Sequence, residues 1–93
     1  MIRSVRDKRI ETIVAGRTVK GFPADLVRAV RRKLFMLDNA GALEDLRMPP
    51  GNRLEALKGD RAGQHSMRIN DQFRICFRWR DGGAEEVEIV DYH

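Results

Sequence analysis

The spacing of apolar positions changes once along this chain, from a helical period to a strand period, and the change predicts two halves. Over residues 7–15, Ile10, Ile13 and Val14 mark one face of a short helix, and Gly16 is placed to stop it. Residues 16–22 read as a loop. Leu26, Val27, Val30, Leu34 and Leu37 then recur at spacings of three and four, the stripe of a core-facing helix. Pro23 suits its first turn, and Asp25 complements the positive end of its dipole. Asn39-Ala40-Gly41 ends it. Arg28, Arg31 and Arg32 fall on the opposite face. Residues 2–5 read as a short strand ahead of both helices.

The second half opens on Pro49-Pro50-Gly51, a loop by its chemistry. Leu54 and Leu57 predict a short strand, and residues 58–63 a turn. From there the period is two. His65, Met67 and Ile69 alternate with polar neighbours. Phe73, Ile75, Phe77 and Trp79 alternate with Arg74, Cys76, Arg78 and Arg80, and Val87 and Ile89 alternate with Glu86 and Glu88. The predicted architecture is α+β: two N-terminal helices packed on one face of a small antiparallel β-sheet, in one domain over residues 1–93.

Strand register can be tested against this pattern, because paired residues share a face. For the last hairpin, a Gly82-Gly83 turn would set Trp79 against Glu86. A three-residue loop, residues 82–84, instead pairs Trp79 with Val87, Phe77 with Ile89, Arg80 with Glu86, Arg78 with Glu88, Cys76 with Val90 and Arg74 with Tyr92. For the preceding hairpin, pairing Ile69 with Phe73 leaves Asn70-Asp71-Gln72 as a loop. It also sets Met67 against Ile75 and Arg68 against Arg74. Like charges directly opposite are unfavourable. With no acid expected beside them, Arg68 and Arg74 become candidates for holding a phosphate.

Charge sharpens the picture. The 93 residues carry a net +4, with 42 % hydrophobic and 34 % charged positions. Residues 1–80 hold eighteen Lys and Arg against nine Asp and Glu, whereas residues 81–93 hold five acids and no base. A basic body with one acidic terminal strand favours a polyanionic partner. The single Cys76 forms no internal disulfide, which suits a reducing cytoplasm. No apolar run reaches the roughly 20 residues of a membrane span, and the first residues lack a signal-peptide pattern.

The chain finishes its last strand on Asp91-Tyr92-His93. An acid, a phenol and an imidazole next to paired arginines form a set suited to metal-independent RNA transphosphorylation. A base takes the 2′-hydroxyl proton, cations stabilise the phosphorane, and an acid protonates the leaving 5′-oxygen. No zinc, calcium or nucleotide-loop motif is present. Because Asp91 and His93 share a parity opposite to that of Tyr92, the strand is expected to twist or end near Val90. His65 is expected to pack in the core, as are Trp79, Phe73 and Phe77, and Cys76 to pack rather than react.

The stretch Pro49-Pro50-Gly51-Asn52-Arg53-Leu54-Glu55-Ala56-Leu57-Lys58-Gly59-Asp60-Arg61-Ala62-Gly63-Gln64-His65-Ser66, with Asn70-Asp71-Gln72-Phe73-Arg74 and the final Asp91-Tyr92-His93, resembles the HigB branch of the RelE toxin superfamily, and within it the GraT-like group. The resemblance implies a RelE-like fold and a toxin of a type II toxin–antitoxin system. It further implies a ribosome-dependent mRNA endoribonuclease without cofactor, neutralised by a HigA-like helix-turn-helix antitoxin. Operator DNA would be bound only through that complex. Carried over by position, Asp91, Tyr92 and His93 match the catalytic triplet, Arg74 the phosphate-binding arginine and Lys58 a catalytic basic residue, with Arg61 beside it in the Lys-Gly-Asp-Arg stretch. Where some relatives place a catalytic histidine three residues before that lysine, this chain has Glu55, which either serves as a substitute base or leaves the site less active. Arg68 rests on register alone. Arg28, Arg31 and Arg32 are either a solvated face or a ribosomal RNA contact. The alternative reading of the whole chain is a non-catalytic RNA- or ribosome-binding module of the same fold; a protein that acts on DNA alone lacks a recognition-helix motif.

Overall fold

The computed structural model describes residues 1–91. Helix α1 spans Lys8–Val14 and α2 spans Ala24–Asn39. Four strands follow, β1 Glu55–Ala56, β2 His65–Arg68, β3 Phe73–Arg80 and β4 Gly83–Asp91. They form one antiparallel sheet in the order β1-β2-β3-β4. The expected α+β arrangement is therefore what the chain adopts.

Each helix follows from local chemistry. Asp7 caps α1 by accepting the Arg9 backbone N–H at 3.0 Å, and Gly16 takes the positive φ of 82° that ends it. On α2, the five predicted stripe residues are all buried, and Ile10 and Ile13 of α1 join them. They pack against Met67, Ile75, Phe77, Val87 and Ile89 on one face of the sheet. Val14 departs from the expected stripe and is 64 % exposed. A seven-residue helix buries only its Ile10–Ile13 pair, and Val14 is its last residue.

Residues 2–5 are not a separate strand. Ile2 and Val5 make isolated parallel bridges to Ala84 and Val87, along the otherwise open edge of β4. The Arg3 and Arg6 backbone N–H groups donate to the carbonyls of Ala84 and Val87 at 2.7 and 2.9 Å.

The β2–β3 register is the one the pattern predicts, with Met67 opposite Ile75 and Arg68 opposite Arg74. The β3–β4 register is not. Asp81 and Gly82 form a two-residue turn with φ values of 49° and 75°, so Arg80 pairs with Gly83 and Trp79 with Ala84. Both central residues at positive φ are what a type I′ hairpin needs, and Asp-Gly supplies them. A bulge then intervenes between Cys76 and Arg78, with Glu86 at φ 53°. It adds one residue to β4 and restores Val87 and Ile89 to the core face. Beyond it Cys76 opposes Glu88 and Ile75 opposes Ile89. Arg74 opposes Val90 rather than the chain end, and the strand is described through Asp91. Tyr92 and His93 lie outside the described residues.

Candidate functional site

Arg74 is the anchor of the outer sheet face. Its side chain is only 11 % exposed. Its Nε donates to Ser66 Oγ at 2.8 Å, and Nη2 to the Arg53 carbonyl at 2.7 Å. Ser66 is fully buried on β2, and Arg53 sits at φ 44° just after the short 3₁₀ turn Pro50–Asn52. The loop entering β1 thus folds over the sheet face and presents a carbonyl to the guanidinium. Glu55 Oε1 stands 3.9 Å from Arg74 Nη2, because β1 pairs Glu55 with Ser66. Pairing across β1, β2 and β3 brings a carboxylate and a guanidinium from distant parts of the chain together.

The other sequence-predicted residues fall around this centre unequally. Lys58 is exposed and precedes the 3₁₀ turn Gly59–Arg61. Arg61 donates to Gln64 Oε1 at 3.1 Å and to Glu88 Oε1 at 3.3 Å. The expectation that Arg68 and Arg74 lack acidic neighbours is corrected: Arg68 pairs with Asp71 and Arg74 with Glu55. Asp71 lies only three residues from Arg68 across the turn. Glu55 reaches Arg74 through a β1 pairing that a two-residue strand barely signals.

Asp91 is exposed, and its Oδ2 accepts from Gln72 Nε2 at 3.1 Å. It opposes Phe73, so by strand parity it belongs to the face opposite that of Arg74. Arg28, Arg31 and Arg32 are exposed on α2, with Arg28 paired to Asp25. Among the described residues no three His, Cys, Asp or Glu cluster as metal ligands. His65 stacks on Phe77 at 6.3 Å, with its Nδ1 buried and without a partner. Cys76 is buried beside Glu88 rather than Val90, and burial pushes its thiol pKa up.

Two features escape the sequence pattern. One is the Ser66–Arg74–Arg53 grip. The other is a latch on β4, where Asp7 Oδ2 accepts the Ile89 N–H at 3.1 Å and Arg9 Nη2 donates to the Ile89 carbonyl at 3.0 Å. Arg9 also lies over the Phe22 ring at 5.1 Å, and Phe22 meets Phe73 at 5.5 Å. The latch ties both backbone groups of Ile89, two residues before Asp91. An N-cap aspartate followed two residues later by arginine was its only trace in the sequence. A groove of about 720 Å³ between residues 2–5 and the two helices contains none of Glu55, Lys58, Arg74 and Asp91.

Residues 3–93 match the family described as RelE-like toxin of the type II toxin–antitoxin system HigB. Toxin HigB-1 of Vibrio cholerae serotype O1 is 50 % identical over 62 residues, 67 % of this chain and 65 % of that protein. Endoribonuclease HigB of Proteus vulgaris is 30 % identical over 93 residues, the whole of both chains. Among solved structures, the YoeB–YefM complex from Staphylococcus aureus superposes with a TM-score of 0.63 at 21 % identity, over 100 % of this chain and 98 % of that one. YafQ from E. coli gives 0.65 at 8 % identity, over 98 % and 93 %. These two likenesses show the shared fold. No helix among the described residues is long and apolar enough to cross a membrane.

Proposed function

Because the chain belongs to the HigB-like family of RelE-like toxins of type II toxin–antitoxin systems, we propose that it is a ribosome-dependent endoribonuclease that cuts translated mRNA and arrests growth. The observation that carries this reading is the Arg74–Glu55 couple. A buried, doubly gripped guanidinium stands 3.9 Å from a carboxylate that is more than half exposed. Such a couple supplies a phosphate anchor and a base side by side. The name of the Proteus vulgaris relative, an endoribonuclease aligned over its full length, supports the same chemistry.

In the reaction proposed, Glu55 takes the proton of the 2′-hydroxyl, and the 2′-oxygen attacks the adjacent phosphorus. Arg74 and Lys58 stabilise the charge on the phosphorane oxygens. The 5′-oxygen leaves with a proton from His93, giving a 2′,3′-cyclic phosphate and a 5′-hydroxyl. Tyr92 stacks on a nucleotide. The roles of Tyr92 and His93 come from the family resemblance. Asp91, on the other face from Arg74 by its pairing with Phe73, is not the first base in this reading. Arg28 and Arg31 contact ribosomal RNA in this reading. The partner is a small helix-turn-helix antitoxin of the HigA kind, with operator DNA reached only through that complex, in the cytoplasm. The solved YoeB–YefM assembly, a fold relative with its antitoxin, supports an antitoxin partner.

Primer extension on translated mRNA after induction tests the reading. New 5′ ends that vanish when translation is blocked, and that vanish in a chain lacking Tyr92 and His93, are expected. Translation arrest without new ends would favour the alternative, a non-catalytic RNA- or ribosome-binding module of the same fold.

A further inference from the structure

Lys33 leans from α2 onto the turn Pro50–Asn52, where its ammonium donates to the Asn52 side-chain oxygen. Asn52 is fully buried, and its amide nitrogen donates to the carbonyls of Leu46 and Met48 at 3.1 and 3.3 Å. Those two bonds fix which end of the amide is oxygen, so the acceptor facing Lys33 is rigid and neutral. An ammonium has three N–H bonds, and this contact uses one. Burial first, then the charges of Arg32 and Arg68, lower the Lys33 pKa. Among the described residues neither Lys33 nor Arg32 makes an ion pair. Arg68 pairs with Asp71, whose side chain is 99 % exposed, and a pair that open to water neutralises little.

The cluster is connected to the Arg74 centre in two ways. Arg53, the residue after Asn52, gives its carbonyl to Arg74. Arg68 is the direct cross-strand partner of Arg74. Consecutive residues of one turn therefore hold Lys33 on one side and Arg74 on the other. A polyanion anchored by one phosphate on Arg74 carries further phosphates along its length, and Lys33 and Arg68 are the cations that this turn and this strand pairing join to that anchor.

We propose that Lys33, with Arg32 and Arg68, forms a second phosphate subsite that binds the RNA phosphodiester adjacent to the scissile one. This rests on the reading of Arg74 as the anchor of a cleaved RNA. The subsite would set how far the strand must extend past the cleavage point to be cut well, without touching the reacting atoms.

The test compares wild type, Lys33→Gln, Lys33→Arg, Arg32→Gln and Arg74→Gln for binding a fully 2′-O-methylated, hence uncleavable, RNA nonamer across a salt series. Gln at position 33 keeps a donor for Asn52, and its thermal melt is recorded beside binding. The expected result is roughly 3–10-fold weaker binding by Lys33→Gln and a slope of log K against log salt reduced by about 0.7, one phosphate's worth for a single strand. Lys33→Arg should restore the slope. Should Lys33→Gln fold poorly, exposed Arg32→Gln must show the smaller affinity and slope for the subsite to stand. Unchanged slopes for both, with binding still weakened by Arg74→Gln, would overturn the subsite and leave the RNA reading intact. Absence of salt-dependent binding in the wild type would overturn both.

Discussion

Arg74 and Arg78 stand four residues apart on the same face of β3, and the fold treats them differently. Arg78 meets a carboxylate directly, Glu86 at 2.8 Å, and Glu86 also receives Arg6 at 3.7 Å. Arg74 is gripped by a hydroxyl and a carbonyl at 2.8 and 2.7 Å, with its carboxylate, Glu55, farther off at 3.9 Å. Close ion pairing between neighbouring strands closes a sheet. Hydroxyl and carbonyl acceptors fix the direction of a guanidinium, whereas a close carboxylate holds it by charge. The acidic residues of β4 serve the first end, and the loop before β1 builds the second. A basic face thereby splits into a structural part and a part fit for chemistry.

The largest expected effect breaks that comparison most directly. Arg74→Lys keeps the charge but loses the two-point grip, and should lower mRNA cleavage by about 10²–10³-fold, the scale of a lost transition-state donor. Arg78→Lys should change it by less than about twofold, since its partner is structural. Cleavage of mRNA on programmed ribosomes measures both. Comparable losses would erase the distinction between the two ends.

Next in size is Glu55→Gln, expected to lower the chemical step by about 10²-fold or more, as removal of a general base does. Asp91→Asn should cost less than about tenfold, because Asp91 shares a face with Phe73 and not with Arg74. Single-turnover rates decide between them. A reversal of the two losses would move the base to the terminal strand.

Asp7 offers a stability test at the opposite edge. Burial alone would raise its pKa, but hydrogen bonds from the Arg9 side chain and the Ile89 and Arg9 backbone N–H groups, with the Arg9 charge, hold it below its usual value. A depressed folded pKa means that the carboxylate stabilises the fold above the unfolded value near 4 and that this is lost as pH falls through the folded one. Asp7→Ala should therefore cost about 1–2 kcal/mol at pH 7, at about 4–8 °C of melting temperature per kcal/mol. The gap from wild type should narrow as the pH drops below about 4. A gap constant down to pH 2 would show that the charge of the latch contributes nothing.

Much of this molecule was legible because burial enforces periodicity. The α2 stripe and the alternation through β2 and β3 had to be apolar on one side, so both elements and the Arg68–Arg74 pairing could be read. The bulge was legible in principle: apolar Ala84 and Val87 lie three apart, where an unbroken strand would show two. Reading Asp81-Gly82 as the turn needed that irregularity to be accepted; without it, a longer loop was the only way to keep Val87 and Ile89 inside. The site was half legible. Arg74 and Glu55 stood in recognisable stretches, but their approach depends on a two-residue strand and a loop carbonyl, and neither leaves a period in the sequence. Tyr92 and His93, the most telling residues of the chain end, lie outside the described residues.

The smallest effect tests the structural end by itself. Glu86 is 43 % exposed and pairs with Arg78, yet it occupies the bulge at φ 53°. Two opposing terms meet there. Losing a half-exposed ion pair costs about 0.2–1 kcal/mol, whereas releasing a side chain from the left-handed region gains about 1–2 kcal/mol when glycine takes its place. Glu86→Gln removes only the charge and should lower stability slightly. Glu86→Gly removes the charge and the strain and should match or exceed wild type, with mRNA cleavage unchanged in both. Urea unfolding of the pair separates the terms. If glycine proves less stable than wild type, the ion pair outweighs the strained backbone, and the Arg78 end is held by its charges more than by the hairpin geometry.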